Sequence, residues 1–336
     1  MFQRQGSETA ENIAVRPSQC SMASCLKTLR GEFHLRQFGF GGIQKERFTA
    51  SQWRIPSWLY LTYRFVTMAY AFLWLIYTAY HDQAPQPWGT YLTNWTYSLL
   101  TIYLTLHFLT AFYEHVRCGC LGQGRTCYAS LGRASVEKHV SMFVEPAAAG
   151  SVPRENFECG TDDNSRDKFV EVPTEPPLAA AVGRPPWYLC VVWALFSTVS
   201  TSAVMVTILF FAYVFPTMKN ATMTSADTLQ LHLFNSVIII AEQMLTAIPC
   251  RLLHIIYPLI YGIIYVLFSL LYWAVDHNNV VYSVLNWNNP GKTIGFAIFV
   301  FAVFTPSVHI FFFFLSRLKM YIFHYVYQAE LNQNWH

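Results

Sequence analysis

Six stretches of this chain run for about 20 residues or more with almost no charged side chain. A helix needs about 20 predominantly apolar residues to cross a hydrocarbon layer of ~30 Å. Inside a bilayer the backbone polar groups must be satisfied within the segment, which favours helices. We therefore predict an all-α fold, a polytopic transmembrane bundle of six helices. The predicted spans are Trp58–Tyr80, Thr93–Tyr113, Trp187–Pro216, Leu229–Ala247, Leu252–Val275 and Ile294–Ser316.

The composition supports this class and excludes two others. Charged residues make up 12% of the 336 residues, about half of the ~25% that soluble chains carry. Low charge and abundant aromatic residues argue against a disordered chain. The 22 Lys and Arg residues are balanced by 19 Asp and Glu residues, so the chain lacks the positive excess of a nucleic-acid-binding protein. We expect membrane lipids as partners, no nucleic acid and no cofactor, and the oligomeric state stays open.

The distribution of Lys and Arg predicts the orientation. Nineteen of them fall in the segments on one side of the predicted bundle and two on the other. Because positive residues stay on the cytosolic side, both termini are expected to be cytosolic. The sequon at Asn220 lies in a predicted outer loop, which makes Asn220 a candidate glycosylation site. The membrane is expected to be the plasma membrane or that of the endoplasmic reticulum.

The polar segments between the spans define the predicted domain organisation. Residues 1–55 are predicted to be a cytosolic, largely disordered segment, with spans one and two at 56–113. A long cytosolic loop follows at 114–186, then spans three to six at 187–320 and a cytosolic tail at 321–336. We expect residues 1–50 and most of 125–180 to lack stable packing. Within the loop, Cys118 and Cys120 lie just past the second span and are candidate lipidation sites; free thiols are the alternative, and no metal site is predicted.

Polar residues inside the predicted spans are costly and therefore informative. In the fourth span, offsets of 3, 4, 7 and 10 residues place His232, Asn235, Ser236 and Glu242 on one side of the helix. Other spans contribute further polar groups, which suggest a polar interior. These are Thr93 and His107 in the second span, Tyr257, Tyr261 and Tyr265 in the fifth and His309 in the sixth. Each also has a structural interpretation, since polar groups join membrane helices and Thr93 could cap its helix.

Several short motifs stand out in and beside the predicted spans. They are Leu61-Thr62-Tyr63-Arg64, Tyr91-Leu92-Thr93-Asn94-Trp95, Leu231-His232 with Asn235-Ser236, Tyr282 with Leu285-Asn286-Trp287, and Pro290-Gly291. These motifs resemble those of the rolling stone family of multi-pass membrane proteins, whose insect founder is associated with myoblast fusion. More distantly, their order is similar to that in the androgen-induced family of intramembrane threonine hydrolases.

The distant resemblance implies an enzyme that cleaves fatty acid esters of hydroxy fatty acids. It implies Thr93 as the nucleophile and His232 as the base, followed by Glu242. Aligned from the outer end of the helix, however, Asn235 stands where the catalytic His is expected. A Thr hydroxyl needs such a base, and both groups fall near the outer ends of their helices. We therefore predict that Thr93 and His232 face one cavity, with Glu242 deeper in it.

Three functions follow from this sequence. The leading one is a rolling stone type membrane protein with a role in cell–cell fusion or myogenesis. The alternatives are a hydrolase with a lipid ester as substrate and, third, a small-solute transporter.

Overall fold

The structure is a computed structural model, and it describes residues 32–43, 45–81, 86–117, 185–217 and 226–333. Within these ranges the chain is helical and has no β-strand, only one isolated bridge between Ser51 and Thr246. Six helices, here α1 to α6, form the bundle. They are α1 Ser57–Tyr80, α2 Leu92–Arg117, α3 Trp187–Leu209, α4 Asn235–Leu245, α5 Ile256–Val275 and α6 Thr305–Gln333.

Four of the six predicted spans are long and apolar enough to cross a membrane. They are Ser57–Tyr80, Trp187–Val214, Leu252–Val275 and Pro290–Tyr327. The count of six is therefore not confirmed. The other two predicted spans differ for a physical reason: α2 and the helical stretch that contains α4 both carry buried polar side chains. These polar side chains lower the mean hydropathy of both helices. The neighbouring helices enclose them.

Three continuous helical stretches, which we call rods, each contain a π-helical turn. The turn lies in the half of the rod that the predicted orientation places on the outer side. Phe210–Val214 continues α3, Gln230–Phe234 precedes α4, and Val300–Phe304 joins the short helix Pro290–Phe299 to α6. Such turns insert an extra residue into the helix and are frequent at functional sites. All three lie near one another, because α3 packs against both α4 and α6.

α3 is the central helix. Its most apolar part is 72% buried, against 33% or less for the other three candidate spans, and it packs against α2, α4, α5 and α6. Small hydroxyl side chains allow this close approach. They also satisfy themselves locally: Ser197, Thr198 and Ser200 each donate a hydrogen bond to a carbonyl four residues earlier.

The segment before α1 is packed, contrary to the expectation that residues 1–55 are largely disordered. In its described part, 32–43 and 45–55, Phe48 is fully buried and its ring contacts Trp193 of α3. Phe40 stacks on Tyr257 of α5. The expectation failed because these anchors are few and widely spaced, so that no helical or strand periodicity marks them. Residues 1–31 and the loop 118–184 lie outside the described residues.

The same segment, together with Lys319 of α6, donates hydrogen bonds to the inner end of α4. The last carbonyls of a helix have no partner within the helix. Five donor residues from outside the helix donate hydrogen bonds to the backbone carbonyls of five successive residues there. Lys319 Nζ donates to the carbonyls of Gln243 (2.8 Å) and Thr246 (2.7 Å), Trp53 Nε1 to Met244, Ser51 Oγ and the Gln52 N–H to Leu245, and Arg47 Nε to Ala247. Two of these donors are cations, the charge that the C-terminus of a helix dipole favours. Glu242 is thereby held at a fixed depth.

Candidate functional site

A fully buried ion pair lies in the inner half of the bundle. Arg64 of α1 forms a salt bridge with Glu242 of α4, and neither side chain is exposed. Hydroxyl groups complete the shell around the two charges. Tyr63 donates to Glu242 Oε1 at 2.8 Å, Tyr60 lies 2.6 Å from Arg64, and the Tyr103 hydroxyl lies 3.1 Å from Glu242 Oε2. We call these five residues the Arg64–Glu242 cluster.

The cluster continues through His107 to the segment before α1. Nε2 of His107 donates to the carbonyl of Phe48 at 2.7 Å, and Nδ1 lies 2.8 Å from the Tyr103 hydroxyl. Nδ1 also lies 3.9 Å from Glu242. Three helices and the segment before α1 are thus joined by one set of polar contacts. Removing one member of a buried pair leaves an uncompensated charge, which costs about 3–5 kcal/mol.

Thr93 lies at a different place, in the first turn of α2. The helix begins at Leu92, so Thr93 is not its N-cap residue. It is 5% exposed and lines a cavity of about 80 Å³. The walls of this cavity are almost entirely apolar. They come from α3 and its π-helical turn, α5, the helix Pro290–Phe299 with the π-helical turn after it, and the segment between α5 and that helix.

The polar partner of Thr93 is Tyr282. The Tyr282 hydroxyl hydrogen-bonds with the Thr93 side chain and accepts from the N–H of Leu92 at 3.1 Å. Burial raises the pKa of Tyr282 to about 12, although these hydrogen bonds act in the opposite direction. Tyr282 therefore stays protonated and is a donor, not a base.

His232 does not line the cavity that Thr93 lines. Its ring lies face to face with that of Phe210, with 3.3 Å between ring centroids and an interplanar angle of 3°. Phe210 itself lines the cavity. The prediction of one cavity shared by Thr93, His232 and Glu242 is therefore wrong: a phenyl ring covers His232, and Glu242 belongs to the Arg64–Glu242 cluster. Nδ1 of His232 is buried and has no hydrogen-bond partner among the residues that the structure describes.

The other two members of the predicted stripe are buried and make short-range contacts. Asn235 is fully buried, donates to the carbonyl of Leu231 at 3.1 Å and accepts from Ser236 at 3.2 Å. Ser236 lies 2.6 Å from Thr207, which also donates to the carbonyl of His232. These contacts tie α4 to α3 through the π-helical turn of residues 230–234.

The tyrosines of α5 face the bundle, as the predicted stripe required, and each has a packing role. Tyr265 donates to the carbonyl of Thr90 at 2.8 Å, and Tyr261 lies 3.0 Å from Thr96. His309 of α6 is similarly fixed: Nε2 donates to the carbonyl of Arg251 and Nδ1 accepts from Thr201, both at 3.0 Å. These contacts support the structural interpretation of all three residues.

Three predicted modification sites lie outside the described residues: Asn220, Cys118 and Cys120. Among the residues that are described, no group of three or more His, Cys, Asp or Glu side chains could hold a metal ion.

The sequence analysis missed Arg64, Tyr282 and Phe210 as site residues. A signal for Arg64 exists, because Arg64 and Glu242 are the only charged residues within the six predicted spans. No comparable signal marks Phe210, since 27 Phe residues make any one of them inconspicuous.

Comparison with known proteins finds a family match in the second half of the chain. The family model described as Protein rolling stone matches residues 183–331. Residues 183–331 belong to the rolling stone family. The chain is also similar to Protein rolling stone of Drosophila melanogaster, with 28% identity over 109 residues. The aligned region covers 31% of this chain and 40% of the fly protein. No solved structure shows significant similarity to the chain.

The rolling stone match confirms the resemblance inferred from the motifs. It contains α3 to α6, and with them Glu242, His232 and most of the cavity wall. It does not contain α1 and α2, and therefore neither Arg64 nor Thr93. Half of the buried ion pair thus lies inside the matched region and half outside it.

Proposed function

We propose that this chain is a six-span membrane protein of rolling stone type, with both termini cytosolic, that acts in cell–cell fusion or myogenesis as a non-enzymatic scaffold. The multi-pass character rests on the rolling stone match and the four apolar helices. The two additional spans are α2 and the rod that contains α4. The fusion role comes from the family resemblance.

The observation that carries the scaffold proposal is the Arg64–Glu242 cluster. A buried carboxylate in a membrane span usually indicates a proton relay, an ion pathway or a substrate site. Here Glu242 has a cation and hydroxyl groups around it, and it does not line the cavity beside Thr93. Its role is then to hold α1, α2 and α4 together, which a scaffold needs and a hydrolase does not.

The hydrolase with a lipid-ester substrate is the second candidate, favoured by one observation. Thr93, the residue that matches the nucleophile, lines an apolar cavity that suits a lipid. Against it, His232 lies behind the ring of Phe210 and Tyr282 cannot act as a base at neutral pH. Hydrolysis would require Phe210 to move so that His232 comes within about 3 Å of Thr93. A small-solute transporter has no comparable support, because the cavity offers few polar groups.

One variant distinguishes the scaffold from the hydrolase. Endogenous protein is depleted from a myoblast line, and the line is then complemented with wild type or with Thr93→Ala. The scaffold proposal expects fewer fused cells after depletion and equal rescue by both proteins, with no lipid-ester hydrolysis by purified wild type. Rescue by wild type alone, together with hydrolysis that Thr93→Ala abolishes, favours the hydrolase. Unchanged fusion after depletion contradicts the fusion role.

A further inference from the structure

The cavity beside Thr93 has room for an apolar group larger than a water molecule. Its ~80 Å³ is several times the ~10–15 Å³ that one water molecule needs. Water is nevertheless a poor occupant, because a buried water needs two to four polar partners and the walls are almost entirely apolar. An empty space of this size would forfeit packing contacts along its whole lining.

The cavity lining reaches the surface of the bundle between the outer end of the α3 rod and the helix Pro290–Phe299. Tyr213, which is 44% exposed, and Phe296 both line the cavity, and their rings meet edge to face at 5.7 Å. The α3 rod and the rod that begins with this helix are both candidate membrane spans. A molecule that enters here therefore comes from the hydrocarbon layer and not from water.

Two features keep this space open. The first is Gly262 of α5, where a Cβ atom would lie 2.6 Å from Cε1 of Phe301. A larger residue at that position would push the Phe301 ring, which itself lines the cavity. The second is the pair of π-helical turns, 210–214 and 300–304, which both contribute wall residues and are the kind of local irregularity found at ligand sites.

The polar end of the cavity determines the chemistry of the ligand head. Thr93 and Tyr282 supply hydroxyl groups there, and burial keeps Tyr282 protonated and able to donate. Among the described residues that line the cavity, none is Lys, Arg or His. A carboxylate would therefore be buried without a counterion, which is costly, whereas an ester carbonyl needs only hydrogen-bond donors.

We propose that this cavity binds one acyl chain of an esterified lipid of the outer leaflet, non-covalently, with an ester oxygen near Thr93 and Tyr282. The chain enters between Tyr213 and Phe296. This site is independent of the scaffold function, because the Arg64–Glu242 cluster lies outside the cavity lining.

Photolabelling of the full-length protein in lipid nanodiscs tests the site. The probe is a phosphatidylcholine with a diazirine midway along one acyl chain, and labelled peptides are identified by mass spectrometry. We expect label on the cavity walls around residues 205–214 and 296–301. A free palmitic acid with the same diazirine should label these peptides less. Stronger labelling by the free acid would overturn the assignment to an esterified lipid.

Matched variants of the α6 rod show whether the label reports the cavity. Ala297→Trp fills the cavity and should lower labelling about tenfold, whereas Ala302→Trp, at an exposed position of the same rod, should leave it unchanged. Val206→Phe fills the space from α3 and keeps the test valid should Ala297→Trp fail to fold, as judged by size-exclusion chromatography. Equal labelling of a folded cavity-filling variant and wild type, or label confined to exposed residues such as Ile298, would overturn the proposal.

Discussion

Arg64 and Glu242 lie 178 residues apart in the chain, yet each accounts for the presence of the other. Burying either charge alone in a membrane protein is expensive. Together, with the hydroxyl groups of Tyr60, Tyr63 and Tyr103 around them, they form a neutral unit. The pair therefore specifies which faces of α1 and α4 meet. At this scale one charged residue per span is more informative than any apolar run.

Replacing one member of the pair should lower the free energy of unfolding far more than replacing a charged residue at the surface. We expect Glu242→Gln to lower the free energy of unfolding by about 3–5 kcal/mol, because Arg64 stays buried without a counterion. The control is Lys292→Gln, since Lys292 is exposed and the expected change is no more than about 0.5 kcal/mol. Unfolding of the purified proteins in mixed micelles measures both.

The double variant Arg64→Gln with Glu242→Gln separates the ion pair from simple loss of packing. Because it removes both charges, its loss should be smaller than the sum of the two single losses, by more than the ~0.5 kcal/mol expected of independent sites. Additive losses would show that the two residues do not act as a pair.

Burial should make Cys250 unreactive. It raises the pKa of this thiol to about 12, so about one molecule in ten thousand carries a thiolate at pH 8. We expect negligible modification of Cys250 by iodoacetamide at pH 8 in the folded protein, and complete modification in dodecyl sulfate. Because folding raises the pKa, the thiol favours the folded state below pH 9 and this contribution is lost as the pH rises toward 12. Rapid alkylation of the native protein would contradict the burial.

At the scale of elements, apolar run length was a good guide and local detail was not. The predicted span Trp58–Tyr80 differs from α1 by one residue at its start, because a long apolar run ends where the polar residues begin. The π-helical turn at 230–234 has no signature in the sequence, and it changes the direction in which His232 points relative to Glu242. A stripe calculated at 100° per residue could not anticipate this change, so the predicted shared cavity failed there.

The packed segment before α1 should contribute measurably to stability. Phe48 is fully buried, and its carbonyl accepts from His107. We expect Phe48→Ala to lower the free energy of unfolding by about 3–5 kcal/mol, as for other buried Phe residues. Phe33→Ala, at a position that is 66% exposed in the same segment, should change it by no more than about 0.5 kcal/mol. Similar losses for both would indicate that the segment is not docked in solution.

At the scale of the whole molecule, polar residues explain why only four helices satisfy the criteria for a span. α2 and α4 carry the buried groups that the other helices pack around, including His107, Asn235 and Glu242. Helices enclosed by protein can be more polar than helices that face lipid. The exposed apolar residues of α2, such as Ile102 and Leu109, still need a hydrocarbon environment on one side. Both helices are therefore expected to cross the membrane with the other four.

The six-span arrangement predicts a particular pattern of accessibility in cells. With both termini cytosolic, the loop that contains Asn220 is extracellular or lumenal, and the loop 118–184 is cytosolic. We expect Asn220→Gln to abolish a mobility shift that a glycosidase produces in the wild type. The control is Asn94→Gln in the second sequon, Asn94-Trp95-Thr96. It should leave the shift unchanged, because Asn94 is 5% exposed and donates to the carbonyl of Trp88. A tag at either terminus should be cleaved by protease only after the plasma membrane is permeabilised.

A protein with only four spans, without α2 and α4, would have the loop 118–184 on the side opposite to the N-terminus. An antibody epitope inserted at residue 150 distinguishes the two arrangements: staining of intact cells would contradict six spans, and staining only after permeabilisation, together with glycosylation at Asn220, is the result that six spans require.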